Sequence, residues 1–159
     1  MAPDYGARRG MTLQAEARDL VAVASDPEGR EIQLSTPAAG AWVRMRDAAA
    51  ASGVELVAIS GFRSVARQSE IIRGKLAAGE TMDAVLATMA APGYSEHHTG
   101  RAIDIGCPGI EPLTEGFERS GAFLWLQAHA HEHGFRISYP RGNAHGIAYE
   151  PWHWCFAPG

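Results

Sequence analysis

Apolar residues recur along this sequence at two spacings, one typical of helices and the other typical of strands. Between Pro37 and Ser52, the residues Trp42, Met45 and Ala49 recur every three to four positions, which predicts a helix with one buried face. A side chain that can cap a helix precedes three other segments, and the helices predicted there are 64–73, 81–90 and 120–133. One more helix is expected at about 12–24.

Strands are predicted where apolar residues alternate with polar ones or form short runs. These segments are 54–59, 101–106, 135–139 and 147–156. Because the helices come first and the strands cluster later, the sequence favours an α+β fold with a small, mainly antiparallel sheet. Residues 1–37 are interpreted as an N-terminal arm with a helix, and residues 38–159 as the main domain.

Composition and charge narrow the possible functions. The chain has 159 residues, 46% of them hydrophobic, and a formal net charge of -4; one folded domain and a monomer are expected. No long run of basic residues is present, so a broad surface for nucleic acid or anionic membrane is not expected. No apolar stretch reaches the roughly 20 residues that span a bilayer. No apolar segment follows Arg8 and Arg9, so a signal peptide is not expected in this chain and the compartment stays open.

Two possible metal ligands lie near the predicted strand 101–106: one precedes the strand and the other lies within it. On a continuous strand, His97 and Asp104 would face opposite ways, because an odd number of positions separates them. If Thr99 and Gly100 form the tip of a hairpin, His97 pairs with Ala102 and lies diagonally across from Asp104 on the same face. A longer loop before the strand would serve equally well. Either geometry lets both side chains reach one ion.

A second group is the run Glu150-Pro151-Trp152-His153. Proline is favoured at the second position of a four-residue turn, and such a turn brings its first and last Cα atoms within about 7 Å. Glu150 would then stand beside a metal ion that His153 binds.

These residue types meet the requirements of a catalytic zinc site. Such zinc ions have three protein ligands and keep a fourth position for water, and we expect His97, Asp104 and His153 to be the three. A nearby carboxylate that is not a ligand takes the proton from that water, which makes Glu150 the expected base. An arginine is needed for developing oxyanion charge or a substrate carboxylate. Arg63, in a turn after a buried strand, is the best candidate.

Three motifs resemble those of the VanY-like D-alanyl-D-alanine carboxypeptidases, which are zinc metallopeptidases of the LAS type. SxHxxGxAxD occurs over residues 95–104, and ExWH over residues 150–153. SGYRSxxxQ occurs over residues 60–68, with Phe62 in place of tyrosine. The motifs stand in the expected order, and the resemblance covers about residues 38–156.

The resemblance implies zinc as the cofactor, the ligands and the base named above, and stabilisation of the transition state by Arg63. It further implies that Gln68 and Ser95 help to hold the substrate. Trp152, inside the second motif, is a candidate wall of the substrate cleft. The implied fold is of the Hedgehog/D,D-peptidase type, with the zinc in a cleft over the sheet. The implied substrates are peptidoglycan stem peptides or other peptides ending in D-Ala, which favours a periplasmic or wall-facing location. Phe62 lacks a hydroxyl that the family often has there.

Several alternatives stay open. An L,D-carboxypeptidase or a wall endopeptidase of the same fold, a cytoplasmic D-Ala-D-Ala dipeptidase, or a non-catalytic zinc-containing binding module would also fit. The presence of both Glu150 and Arg63 argues against the binding module. His129 and His133 share a helix face at a metal-binding spacing, but the HExxH order of zinc proteases is missing. The two cysteines could form a disulfide or stay free.

Overall fold

The computed structural model describes residues 4–157, which form short helices and strands. The helices are α1 (Tyr5–Arg9), α2 (Thr36–Ala51), α3 (Val65–Ala77), α4 (Met82–Thr88) and α5 (Gly121–His129). The strands are β1 (Leu20–Ser25), β2 (Glu31–Ser35), β3 (Val57–Ser60), β4 (Ala102–Gly106), β5 (Phe135–Ile137) and β6 (His153–Phe156). Short 3-10 helices lie at Glu96–Thr99, Glu115–Arg119 and Ala130–His133.

Four strands form the main sheet, in the order β3–β4–β6–β5, and every neighbouring pair is antiparallel. The register of β4 and β6 places Asp104 directly opposite His153. On the other side of β4, Asp104 pairs with Ser60 of β3. The predicted α+β fold with a small antiparallel sheet is therefore confirmed.

The hydrophobic core lies on one face of this sheet, opposite to the face that carries Asp104 and His153. Trp42 and Met45 of α2, Ile103 of β4 and Trp154 of β6 belong to one buried cluster. Burying an apolar side chain of this size contributes roughly 1.5–3 kcal/mol. Successive side chains of a strand point to opposite faces, so the burial of Trp154 in the core directs the neighbouring His153 away from it.

The predicted helix starts are also confirmed. Ser64, Thr81 and Ser120 each precede a helix, and each accepts a hydrogen bond from a backbone amide three residues later. Such caps satisfy amide groups that have no partner within the first turn. Gly134, with φ of 81°, ends the 3-10 helix that continues α5. The helix predicted between Pro37 and Ser52 is present as α2.

The helix expected at 12–24 is wrong, because part of this segment is a strand. β1 and β2 form an antiparallel hairpin, in which Ile32 and Leu34 of β2 are buried. Val21 and Val23 favour a pleated backbone because their side chains branch at Cβ, and the pairing with β2 supplies the hydrogen bonds that a helix would otherwise make. The division of the chain after residue 37 stays a prediction.

The strand expected at 147–156 is shorter than predicted, since only β6 pairs in the sheet. Before it, the amide of Ala148 donates to the carbonyl oxygen of Ala87 at 2.8 Å, and the amide of Glu150 donates to that of Tyr139 at 3.0 Å. These bonds fix the segment to α4 and to a loop. They leave it out of the sheet and position it beside the candidate site.

Across residues 4–157, no helix combines the length and the apolar character that crossing a membrane requires.

Candidate metal centre

Three side chains that can bind a metal ion meet over the sheet. His97, Asp104 and His153 are buried, and one nitrogen or oxygen atom of each lies within 4.8 Å of the others. In the part of the chain that the structure describes, no other group of three or more His, Cys, Asp or Glu residues converges in this way. The structure thus brings together the three residues that the sequence pointed to.

The hairpin proposed to unite His97 with Asp104 is wrong. The neighbours of β4 are β3 and β6, and His97 lies in the 3-10 helix that ends before Gly100. Gly100 has φ of 66°, a conformation that glycine adopts without steric cost. The alternative of a longer loop before the strand is the one that the structure contains.

Two of the distances between the donor atoms match those of a tetrahedral zinc site. Nε2 of His97 and Nδ1 of His153 lie 3.4 Å and 3.2 Å from the same oxygen of Asp104. Donors at about 2.0–2.1 Å from a tetrahedral zinc ion lie about 3.3 Å apart. The two imidazole rings are nearly perpendicular, with an angle of 81° between their planes. The three side chains could therefore hold a metal ion such as zinc.

The ring of His97 is oriented by a backbone group. Its Nδ1 atom lies 2.7 Å from the carbonyl oxygen of Gly61. A carbonyl oxygen can only accept, so Nδ1 carries the proton and Nε2 keeps a free lone pair towards Asp104. This is the arrangement that metal-binding histidines usually have.

The ring of His153 is oriented by a carboxylate that the sequence did not single out. Nε2 of His153 lies 2.9 Å from Oε2 of Glu96. The hydroxyl of Ser138 donates to the same oxygen at 2.6 Å. Nδ1 of His153 therefore faces Asp104.

Burial and mutual contacts determine the charges of these groups. Burial lowers the pKa of His97, which favours the neutral ring that binds metals. Burial raises the pKa of Asp104, but His97 and His153 outweigh it and bring this pKa below its usual range. Burial lowers the pKa of His153, but hydrogen bonds to Asp104 and Glu96 outweigh it and raise this pKa to about 10. Burial also raises the pKa of Glu96, but His153 and Ser138 lower it to about 2.

Glu150 lies beside the three candidate ligands without being one of them. Its Oε2 atom is 3.7 Å from Nδ1 of His153, and the amide of His153 donates to the carbonyl oxygen of Glu150 at 3.2 Å. The four-residue turn predicted around Pro151 is therefore confirmed. Burial raises the pKa of Glu150 to about 7, against the opposing effects of His153 and Arg63. A bound divalent cation would add to these two in favouring the ionised form.

The remaining predicted residues line one cleft of about 300 Å³ together with the candidate ligands. Arg63 donates through Nη1 to Oε1 of Gln68 at 2.8 Å. Gln68 is fully buried, and its amide nitrogen donates to the carbonyl oxygen of Ala90 at 2.7 Å. The hydroxyl of Ser95 accepts from the amide of His97 at 3.3 Å. Trp152 is half-buried at the wall of the cleft.

Sequence reasoning missed three residues at this site, namely Glu96, Ser138 and Tyr139. Tyr139 lines the cleft, and its ring centroid is 4.8 Å from that of His153. Burial raises the pKa of Tyr139 above its usual range. The available signal for Glu96 was its place between Ser95 and His97 inside the first motif. The available signal for Ser138 and Tyr139 was that these two polar residues stand just before Pro140 and had no role assigned to them.

The alternative groups raised by the sequence do not form a metal centre. His129 pairs with Glu132 at 3.0 Å on the surface, and its ring lies 5.0 Å from that of Trp125. Cys107 and Cys155 are both free. Burial raises the pKa of Cys155 to about 12, which makes its thiol unreactive.

These observations define a class of α+β proteins in which a small antiparallel sheet carries a buried His–Asp–His group that could hold a metal ion. The group lies in a cleft that a glutamate and an arginine also line. A sequence model described as "VanY: D-alanyl-D-alanine carboxypeptidase" matches residues 31–159. The chain belongs to this VanY family of D-alanyl-D-alanine carboxypeptidases.

Two relatives support this assignment. YodJ of Bacillus subtilis is 42% identical over 121 residues, which cover 73% of this chain and 43% of the relative. A D-alanyl-D-alanine carboxypeptidase of Enterococcus faecalis is 36% identical over 118 residues, which cover 68% of this chain and 42% of the relative. The matched region thus spans less than half the length of either relative.

Solved structures share the fold. The LD-carboxypeptidase LdcB has a TM-score of 0.78 and 35% identity, over 90% of this chain and 70% of its own. VanYB in complex with D-alanine-D-alanine has a TM-score of 0.69 and 29% identity, over 89% of this chain and 80% of the VanYB chain. A mutant of the vancomycin-resistance D,D-pentapeptidase VanY in complex with Zn(II) has a TM-score of 0.68 and 28% identity, over 91% of this chain and 83% of the mutant's chain.

Proposed function

We propose that this chain is a zinc-dependent carboxypeptidase that hydrolyses the D-Ala-D-Ala end of peptidoglycan stem peptides. The observation that carries the proposal is the spacing of 3.4 Å and 3.2 Å from one Asp104 oxygen to the two histidine nitrogens. His97, Asp104 and His153 would hold the ion. The zinc complex of the VanY mutant and the D-alanine-D-alanine complex of VanYB support this choice of metal and substrate.

The residues around the ligands divide the remaining work. When bound, zinc supplies a Lewis acid that polarises the scissile carbonyl group and makes water more acidic. The Glu150 carboxylate takes a proton from the attacking water and passes it to the leaving amine. Its mostly buried position, with a side chain 15% exposed, keeps bulk water from competing for that proton.

Arg63 provides positive charge in the same cleft. Its guanidinium stabilises developing negative charge on the carbonyl oxygen or binds the terminal carboxylate of the peptide. Gln68 holds Arg63 through the hydrogen bond between Oε1 and Nη1. Ser95 and Trp152 contribute to the part of the cleft that receives the peptide.

A second candidate is an L,D-carboxypeptidase, which would remove the terminal D-Ala from a tetrapeptide stem. The similarity to LdcB, with a TM-score of 0.78, favours it. Both candidates use the same ligands and the same base. They differ in which stem peptide fits the cleft, and both would act on the peptidoglycan of the cell wall.

The test compares the wild-type protein with Glu150→Ala on three substrates, namely a pentapeptide stem, a tetrapeptide stem and the dipeptide D-Ala-D-Ala. We expect the wild type to bind about one zinc ion per chain and to release D-Ala from the pentapeptide, as measured by mass spectrometry. Release from the tetrapeptide alone would identify the L,D-carboxypeptidase instead.

Glu150→Ala is expected to keep its zinc and to lose about 10²–10⁴-fold in kcat, because general acid–base catalysis contributes that much. Metal content by elemental analysis separates a lost base from a lost ion. Full activity of the zinc-free protein, or full activity of Glu150→Ala, would contradict the proposal.

A further inference from the structure

We infer that Glu96 is a positioning residue that, together with Ser138, fixes the ring of His153 so that Nδ1 binds the metal ion. The inference rests on the proposed zinc site and adds a residue at a variable position of the first motif, to which the motif assigns no role.

The contacts of Glu96 are specific to one oxygen atom. Oε2 accepts from Nε2 of His153 at 2.9 Å and from the hydroxyl of Ser138 at 2.6 Å. The side chain of His153 is only 3% exposed, so bulk water is poorly placed to replace the carboxylate as the partner of Nε2. Glu96 is therefore the group that determines how this buried ring is oriented.

The orientation decides which nitrogen atom meets the metal. A neutral imidazole carries one N–H group, and an ionised carboxylate can only accept a hydrogen bond. Glu96 thus holds the Nε2–H group, and Nδ1 faces Asp104, 3.2 Å away, where a bound metal ion would replace the proton of Nδ1. A carboxylate behind a ligating histidine also increases the basicity of the ring, which strengthens its bond to the metal.

The position of Glu96 points to a role behind His153 rather than towards the peptide. Glu96 and Ser138 are absent from the lining of the cleft, whereas His153 belongs to it. The carboxylate thus lies behind the ring. Glu96 begins the 3-10 helix that also carries His97. Two consecutive residues thus contribute to the site, because His97 is a candidate ligand and Glu96 contacts the ligand His153. This short helix is thereby joined to β6 through a side chain.

The test measures zinc affinity by competition with a chromophoric chelator, which requires no peptidase activity. Glu96→Ala is expected to weaken zinc binding about 10–100-fold, as is usual when such a partner is removed. Glu96→Gln retains an oxygen that can accept from Nε2, so a smaller loss is expected. Glu118→Gln is the matched control, because it removes the same charge from a surface residue that pairs with Arg141 at 2.9 Å. Its zinc affinity should equal that of the wild type.

A second readout follows the ring itself. In ¹⁵N-histidine NMR spectra of the wild-type zinc protein, His153 should show a protonated Nε2 and a metal-bound Nδ1. This measurement can contradict the inference even if a variant fails to fold, whereas the zinc affinity of Glu96→Ala assigns the effect to Glu96. Unchanged zinc affinity in Glu96→Ala, or a protonated Nδ1 in the wild type, would overturn the inference while leaving the zinc site intact. A wild type that binds no zinc would overturn the proposed function as well.

Discussion

Arg63 is held on three sides by groups of the protein. Its amide donates to the carbonyl oxygen of His97 at 3.1 Å, and its own carbonyl oxygen accepts from Nδ1 of His98 at 2.6 Å. Its guanidinium donates to Gln68, which is fully buried and is itself bound to Ala90. A charge held in this way needs little reorganisation when a substrate binds. Gln68 is therefore expected to act through Arg63.

A double-mutant cycle tests this dependence at the level of single residues. Arg63→Ala is expected to lower kcat/KM about 10²–10³-fold, the usual loss for a group that stabilises oxyanion charge. Gln68→Met, which keeps the side-chain volume, should cost less on its own and almost nothing further in the Arg63→Ala background. The measurement is kcat/KM on whichever stem peptide is cleaved, with zinc content as the control. Additive losses would show that Gln68 contacts the substrate independently.

The candidate ligands and Glu150 could be proposed from the sequence because each stands at a fixed place in a short motif. The convergence of the three candidate ligands within 4.8 Å agrees with that proposal. Glu96 and Ser138 could not be paired in advance, since 42 positions separate them and a lone glutamate or serine is compatible with many surface roles. Only the path of the chain shows that Ser138 bonds to the same Glu96 oxygen that contacts Nε2 of His153.

At the scale of elements, the β1–β2 hairpin supports the segments that carry the site. The carbonyl oxygen of Gln33 accepts from the amide of Phe62 at 2.7 Å, next to Arg63. The amide of Ser35 donates to the carbonyl oxygen of Gly100 at 2.8 Å, just after the helix that carries His97. The hairpin thus fixes the loops on two sides of the metal centre.

Gly100 provides a test of this support. A Cβ atom at this position would lie 2.8 Å from the amide nitrogen of Ser35, and φ is +66°. Gly100→Ala is therefore expected to lower the free energy of unfolding by about 2 kcal/mol or more and to weaken zinc binding. Gly74→Ala is the matched control, because Gly74 lies inside α3 with open space around it. That variant should be more stable by about 0.4–1 kcal/mol. Urea unfolding measures both, and equal stabilities would contradict the prediction.

The elements that local chemistry determines could be predicted, and those that depend on distant partners could not. The caps at Ser64, Thr81 and Ser120 need only the amides three residues ahead. The hairpin depends on pairing between two segments of mixed composition, and a helix was expected in its place. The segment before β6 likewise bonds to α4 and to a loop that sequence periodicity does not reveal.

At the scale of the whole molecule, a metal ion would tie together parts of the chain that the core already brings close. His97 comes from a 3-10 helix, Asp104 from β4 and His153 from β6. A ligand that binds only the folded state stabilises it by mass action. The proposed zinc ion therefore contributes to stability as well as to chemistry.

Chelation should consequently lower the melting temperature. With free zinc at about 100 times its Kd, the stabilisation is about 2.7 kcal/mol, which corresponds to about 5–10 °C for a chain of this size. Scanning calorimetry with and without a chelator measures the shift. His97→Ala should lose most of it, whereas Glu150→Ala should retain it. An unchanged melting temperature on chelation of a zinc-loaded sample would contradict this prediction.

The place of β6 has a consequence for how the protein is made. This strand is the last of those within residues 4–157, yet it lies inside the sheet, between β4 and β5. A ribosome delivers the chain from its N-terminus, so β4 keeps one open edge until β6 emerges. During that interval Asp104 has no His153 opposite it, and the nascent chain offers only two of the three donors. Metal loading is therefore expected to follow synthesis of β6. Until then, the open edge of β4 could pair with strands of other chains.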